Sequence, residues 1–192
     1  MAVGLGLTLG AGLASAAVVT DTVEFSTGFF VPDESSTYSS PYYRWHDEDW
    51  GWTHNAIASS FSSATLNISA WDVDAYSGEV DVISAWDEDT SAWMTLGSLQ
   101  GLDNDWGYTT FVLSSALYDE IAEGLKVWIN IDSTHSWDTW AVTLSKSVLA
   151  LDGATLPDPD PGPDPVPEPA TMLLFGTGLA GLAGARARRK KA

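Results

Sequence analysis

Leu125-Lys126-Val127-Trp128-Ile129-Asn130-Ile131-Asp132 decides the fold. Leu125, Val127, Ile129 and Ile131 point one way, and Lys126, Trp128 and Asn130 the other. A period of two over eight residues is the mark of a strand with one face on a core and one in water. The same period recurs upstream and downstream. Residues 18–25 alternate weakly, and 65–73 place Leu66, Ile68 and Ala70 on one face. Further runs cover 79–86, 93–96, 108–113 and a long final stretch at 140–151. Polar turns separate them. Residues 115–123 are the one helix candidate: Ser115 can cap it, Leu117 and Ile121 share a face, and Gly124 can end it. Residues 38–55 have no clear period and read as a long loop or broken strand. Short strands at this spacing predict a mainly β chain, an antiparallel β-sandwich of jelly-roll type with one short helix, over residues 17–156.

Composition narrows the function. The chain has 192 residues, no cysteine, ten Trp and a formal net charge of -18. Without cysteine there is no disulfide scaffold, thiol catalysis or zinc-thiolate site. Arg186, Arg188, Arg189, Lys190 and Lys191 are at the C-terminal end, so residues 17–156 keep only Arg44, Lys126 and Lys146 as cations. A body this acidic is no nucleic-acid binder. It repels itself at low salt, and bound cations would relieve that strain.

Three segments lie outside the sandwich. Residues 3–14 are apolar and small and lead into Ala14-Ser15-Ala16, an A-x-A pattern. Residues 1–16 therefore read as a signal peptide cut after Ala16, although a basic n-region is missing. Proline occupies every second position of 157–169. This removes donors and fixes φ, so the segment reads as an extended acidic stalk, roughly 40 Å long. Residues 170–185 are free of charge and end at the basic cluster. As a helix they span roughly 24 Å, short of the ~30 Å hydrocarbon core, and the flanking basic side chains can snorkel. The basic end would lie in the cytoplasm and the body outside.

The tail resembles the PEP-CTERM sorting signal of Gram-negative bacteria. The matching residues are Val166-Pro167-Glu168-Pro169-Ala170-Thr171, the apolar run Met172 through Ala183, and the Arg/Lys end. The resemblance implies an exosortase as partner and cleavage near Val166, Pro167, Glu168 and Pro169. It implies an inner-membrane anchor through 170–185 before processing, and the cell surface or extracellular matrix afterwards. Such proteins accompany exopolysaccharide and biofilm production. Some ice-binding proteins carry the same tail, so it does not classify the body. The body resembles the β-sandwich ectodomains found ahead of such tails, which are similar to carbohydrate-binding and galactose-binding-like jelly rolls. The residues that suggest this are 64–74, 125–132, 140–144 and 151–153.

Two constellations could carry chemistry. Asp72-Val73-Asp74 puts two carboxylates on one strand face, and Glu79 and Asp81 follow, again two apart. Asp72, Asp74, Glu79 and Asp81 are thus candidate calcium ligands, set against the plainer reading of turn-capping or solvated acids. Trp45, Trp50, Trp52 and Trp128 are candidate sugar-stacking residues, set against packing, which employs most buried Trp. His46 and His54 with Asp47 and Asp49 could offer a metal imidazole and carboxylate, but packing or backbone hydrogen bonds suit them better. No G-x-S-x-G elbow, phosphate loop or zinc motif is present. With acids this common, no pair marks a glycosidase. No catalytic residue is assigned. The expectation is a non-enzymatic exopolysaccharide-associated module, calcium being the candidate cation. The alternatives are a lectin-like carbohydrate binder and, more weakly, a glycan-active enzyme.

Overall fold

The computed structural model describes residues 19–25, 27–101, 104–137 and 139–162. The expected signal segment and membrane helix, and the stalk from residue 163 onwards, lie outside the described residues. The chain divides into two units, Met1–Pro161 and Gly162–Ala192.

The first unit is mainly β. Its strands are β1 (Val19–Glu24), β2 (Arg44–Trp45), β3 (Trp50–Thr53), β4 (Ala64–Trp71), β5 (Val82–Asp87), β6 (Ala92–Ser98), β7 (Trp106–Val112), β8 (Lys126–Asn130) and β9 (Ala141–Leu151). A short helix, α1 (Tyr118–Glu123), precedes β8. The first sheet runs β1-β9-β4-β7, with β2 pairing the start of β9; the second runs β3-β8-β5-β6. The strand pairs are antiparallel.

One hydrophobic cluster joins Leu66, Ile68 and Leu149 of the first sheet to Ile83, Val127 and Ile129 of the second. This is the two-layer logic of a sandwich: each sheet buries one face against the other. Each fully buried Leu, Ile or Val contributes roughly 1.5–3 kcal/mol. The expected faces are those observed, since Leu66, Ile68, Ala70, Val127 and Ile129 are buried while Lys126, Trp128 and Asn130 are exposed.

Three boundaries differ from the sequence reading. The helix cap is Ser114, whose Oγ accepts from the Ala116 N–H at 3.3 Å. Ser114 holds extended dihedrals, whereas Ser115 already lies in the 3₁₀ turn that opens α1. Gly124, at φ +115°, ends the helix as expected. Residues 79–81 precede β5 instead of belonging to it. The segment 38–55 contains β2 and β3, and in β3 Trp50 and Trp52 alternate with Gly51 and Thr53.

The two sheets differ on their outer faces. All eleven residues of β9 are buried. Outward-facing Thr143 donates from Oγ1 to the Thr37 carbonyl at 2.7 Å. The Oγ atoms of Ser69 and Ser145 both donate to the Pro159 carbonyl, at 2.7 and 2.5 Å. The proline segment is therefore held against the sandwich as far as Pro159, two residues beyond the start expected for the stalk. On β8 of the second sheet the outward residues are open.

Candidate functional site

The open face of the second sheet carries three tryptophans. Trp86 of β5 sits directly opposite Trp93 of β6, and Trp128 of β8 opposite Ser84 and Gly51. Trp86 and Trp93 meet with ring centroids 5.4 Å apart, and Trp93 and Trp128 at 6.0 Å. Trp93 is 45% exposed and Trp128 38%. Gly51 makes room for this arrangement. A Cβ there would come within 2.7 Å of the Val127 carbonyl and 2.9 Å of the Trp128 ring. A shallow groove of about 290 Å³ runs over Gly51, Thr53, Trp93, Lys126 and Trp128. Polar groups frame it. The Trp86 indole N–H donates to Glu88 Oε2 at 2.5 Å, and Lys126 Nζ lies 3.5 Å from the same oxygen. Flat apolar rings beside an exposed ammonium and carboxylate suit a sugar ring, which has an apolar face and a polar rim.

The four Trp residues singled out from the sequence do not form one site. Trp128 is on this face. Trp45 is partly exposed but belongs to the first sheet, edge-on to Tyr43. Trp50 and Trp52 are core residues, 5% exposed each, packed edge-on against Phe30. Their rings offer no face for stacking, because β3 turns them inward. Trp86 and Trp93 escaped the sequence reading. The period of two in β5 sets Trp86 opposite to Ile83 and Ala85, and that was the available signal.

A second feature lies at one end of the second sheet, where β3 and β5 begin and β8 ends. Asp49 accepts from the Ile131 N–H at 2.8 Å, and Asp81 Oδ1 from the Asp132 N–H at 2.9 Å. Asp132 Oδ1 is 2.5 Å from His135 Nδ1. Glu79 Oε2 accepts from the Asp74 N–H at 2.5 Å. Glu79 and Asp81 are 3% and 0% exposed. Their other oxygens, Glu79 Oε1 and Asp81 Oδ2, are buried and receive no hydrogen bond from any N–H or hydroxyl of the protein. Burial and then the Asp81 charge push the Glu79 carboxyl up to about 9. Burial also raises Asp81, to about 6, against the hydrogen bond from Asp132.

Of the four candidate calcium ligands, Glu79 and Asp81 thus come together, and Asp74 reaches them through its backbone. Asp72 is drawn elsewhere, accepting from the Asn104 N–H at 2.9 Å. Among the described residues no three His, Cys, Asp or Glu side chains form a metal cluster.

The structure also joins three residues that nothing in the sequence brings together. His54 Nδ1 is 2.8 Å from Asp21 Oδ2, and His54 Nε2 is 2.9 Å from Ser147 Oγ. The order Asp-His-Ser matches that of a hydrolase triad. Ser147 and His54 are 0% and 1% exposed, so Ser147 Oγ has no path to a substrate carbonyl in this arrangement. The trio acts as a clamp: His54, just after β3, ties the second sheet to β1 and β9 of the first. Burial raises the Asp21 carboxyl, but hydrogen bonds from His54 and Asn55 outweigh it and hold the group below its ordinary value.

Fold and site define an antiparallel β-sandwich whose second sheet carries an open tryptophan cluster on its outer face. The sorting of this sandwich is set beyond it: residues 165–190 match the PEP-CTERM protein-sorting motif. That motif is recognised by exosortase, and it marks the chain for export with a membrane anchor before processing. No curated relative and no solved structure shows significant similarity to the chain. Among the described residues no helix is long and apolar enough to cross a membrane, and residues 170–185 lie outside them.

Proposed function

We propose that the first unit is a non-enzymatic module of the extracellular matrix, associated with exopolysaccharide and delivered to the surface of a Gram-negative cell by exosortase. The sorting motif at residues 165–190 carries this reading. A signal peptide over residues 1–16 begins the route, and exosortase acts near Pro167, Glu168 and Pro169. The test is expression of the full chain in an exosortase-bearing Gram-negative host, with and without the exosortase. With the enzyme, the wild-type chain should appear in the surface or matrix fraction with a processed C-terminus. Without the enzyme, or with Glu168→Ala, it should stay unprocessed in the inner membrane. An unchanged distribution sinks the proposal.

A second reading, a lectin-like module that binds glycan directly, is favoured by the Trp86, Trp93 and Trp128 face. Two of these rings remain substantially exposed, though burying each would be favourable. With such an acidic body, the suited glycan is neutral or amino-bearing rather than anionic.

A further inference from the structure

We propose that Glu79 and Asp81 hold one divalent cation of the calcium class at the end of the second sheet. Each carboxylate is anchored through one oxygen, Glu79 by the Asp74 N–H and Asp81 by the Asp132 N–H. The other oxygen of each is buried and receives no hydrogen bond from any N–H or hydroxyl of the protein. The two carboxyl groups interact with each other directly, and each shifts the other's protonation. Two carboxylates cannot be left charged and facing each other in a buried site, because like charges and desolvation both oppose it. A cation between them removes both penalties at once.

The surroundings specify which cation. The facing donors are carboxylate oxygens, and Asp49 and Asp132 add negative charge nearby. The nearby imidazole, His135, is already engaged by Asp132. Hard oxygen donors without thiolate or free imidazole favour calcium or magnesium over zinc or copper. No third acidic or imidazole side chain among the described residues completes the set. Backbone carbonyls and water would have to supply the rest of the shell. Calcium accepts such an irregular shell, whereas magnesium demands a near-ideal octahedron.

The position gives the ion a structural role. Asp81 leads into β5 and receives its hydrogen bond from Asp132, just after β8. The Val80 carbonyl between the two ligands accepts from the Ser133 N–H at 2.9 Å. An ion here would pin the start of one central strand to the end of its neighbour. This site is independent of the glycan reading, since the tryptophans lie on the outer face.

The experiment is equilibrium dialysis of the purified full-length protein against radioactive calcium at fixed ionic strength, with excess magnesium, alongside thermal unfolding with calcium and then chelator. One ion per chain should bind, and calcium should raise the midpoint by several degrees where magnesium does not. Asp81→Asn and Glu79→Gln should each weaken binding by about tenfold or more, while Asp89→Asn, in the exposed turn before β6, should not. If neither variant folds, Glu79→Asp takes their place. It keeps the charge, withdraws the oxygen by one methylene, and must show the same loss. No saturable uptake by the wild type would mean that only a proton joins the pair, overturning the proposal. Uptake of several ions, or uptake indifferent to these substitutions, would mean condensation on an acidic surface and would overturn it equally.

Discussion

The two sheets share a core but differ in how their central strands treat the outer face. On the first, hydroxyl groups of Thr143, Ser69 and Ser145 meet backbone carbonyls of Thr37 and Pro159, and β9 is buried throughout. On the second, Lys126, Trp128 and Asn130 alternate with core residues and stay open. Along β4 and β9 the first sheet has spent its outward hydroxyls on its own chain, while Thr20, Thr22 and Val112 on its edge strands stay exposed. The second has kept a groove with apolar rings and charged groups at its rim. Short polar side chains suit the first case, because each buried hydroxyl needs a partner within the protein. Half-exposed Trp in the second is the larger anomaly, and so the better pointer to a ligand.

The difference can be broken at the joint between the sheets. His54→Ala removes the ring that bridges Asp21 and Ser147 and leaves a cavity and buried unpaired groups. The expected loss is about 3 kcal/mol in urea unfolding, the largest of the set. A loss under about 1 kcal/mol would mean that the sheets do not depend on this clamp. Gly51→Ala attacks the open sheet alone. The added methyl meets the Val127 carbonyl, which cannot swing aside, so about 2 kcal/mol should go, together with a change in Trp fluorescence from displaced Trp128. Wild-type stability and spectrum would refute the packing described.

Smaller changes sharpen the contrast. Ser69→Ala and Ser145→Ala should cost about 1 kcal/mol each and should expose the segment around Pro159 to limited proteolysis. The tryptophan face should be unaffected by either. The smallest effect is in pH. The folded Asp21 carboxyl lies below its unfolded value, so its contribution is complete above the ordinary carboxylate range. It fades as pH falls through the lowered folded value. Midpoints measured from pH 6 down to 2 should show a shallower acid decline for Asp21→Asn than for the wild type. Parallel curves would contradict the hydrogen-bonded clamp.

How much of this was legible in the sequence follows from the same contrast. The second sheet's β8 could be read residue by residue, because water on one side preserves a period of two. In β9 both faces are buried, so the sequence shows a strand but not which residues face out. Trp50 and Trp52 looked like loop residues because Gly51 and neighbouring acids mask a four-residue strand. Trp86 and Trp93 come together only across a hairpin, a relation that spacing along the chain does not display. Glu79 and Asp81 were visible as a pair. Their separation from Asp72 was not, since it depends on the Asn104 amide brought in from another loop. The Asp21, His54 and Ser147 clamp joins residues 33 and 93 positions apart, beyond any local pattern.

In the lectin-like reading, the open tryptophan face of the second sheet is where the exported module meets polysaccharide. Affinity electrophoresis through gels containing neutral β-linked glucan or chitosan-type polymer tests it most directly. It would compare the wild type with Trp93→Ala, Trp128→Ala and, on the other sheet, Trp45→Ala. The wild type and the Trp45 variant should be retarded, and the other two should lose retardation while they remain folded. Retardation that survives both substitutions, or that only Trp45→Ala removes, would contradict it.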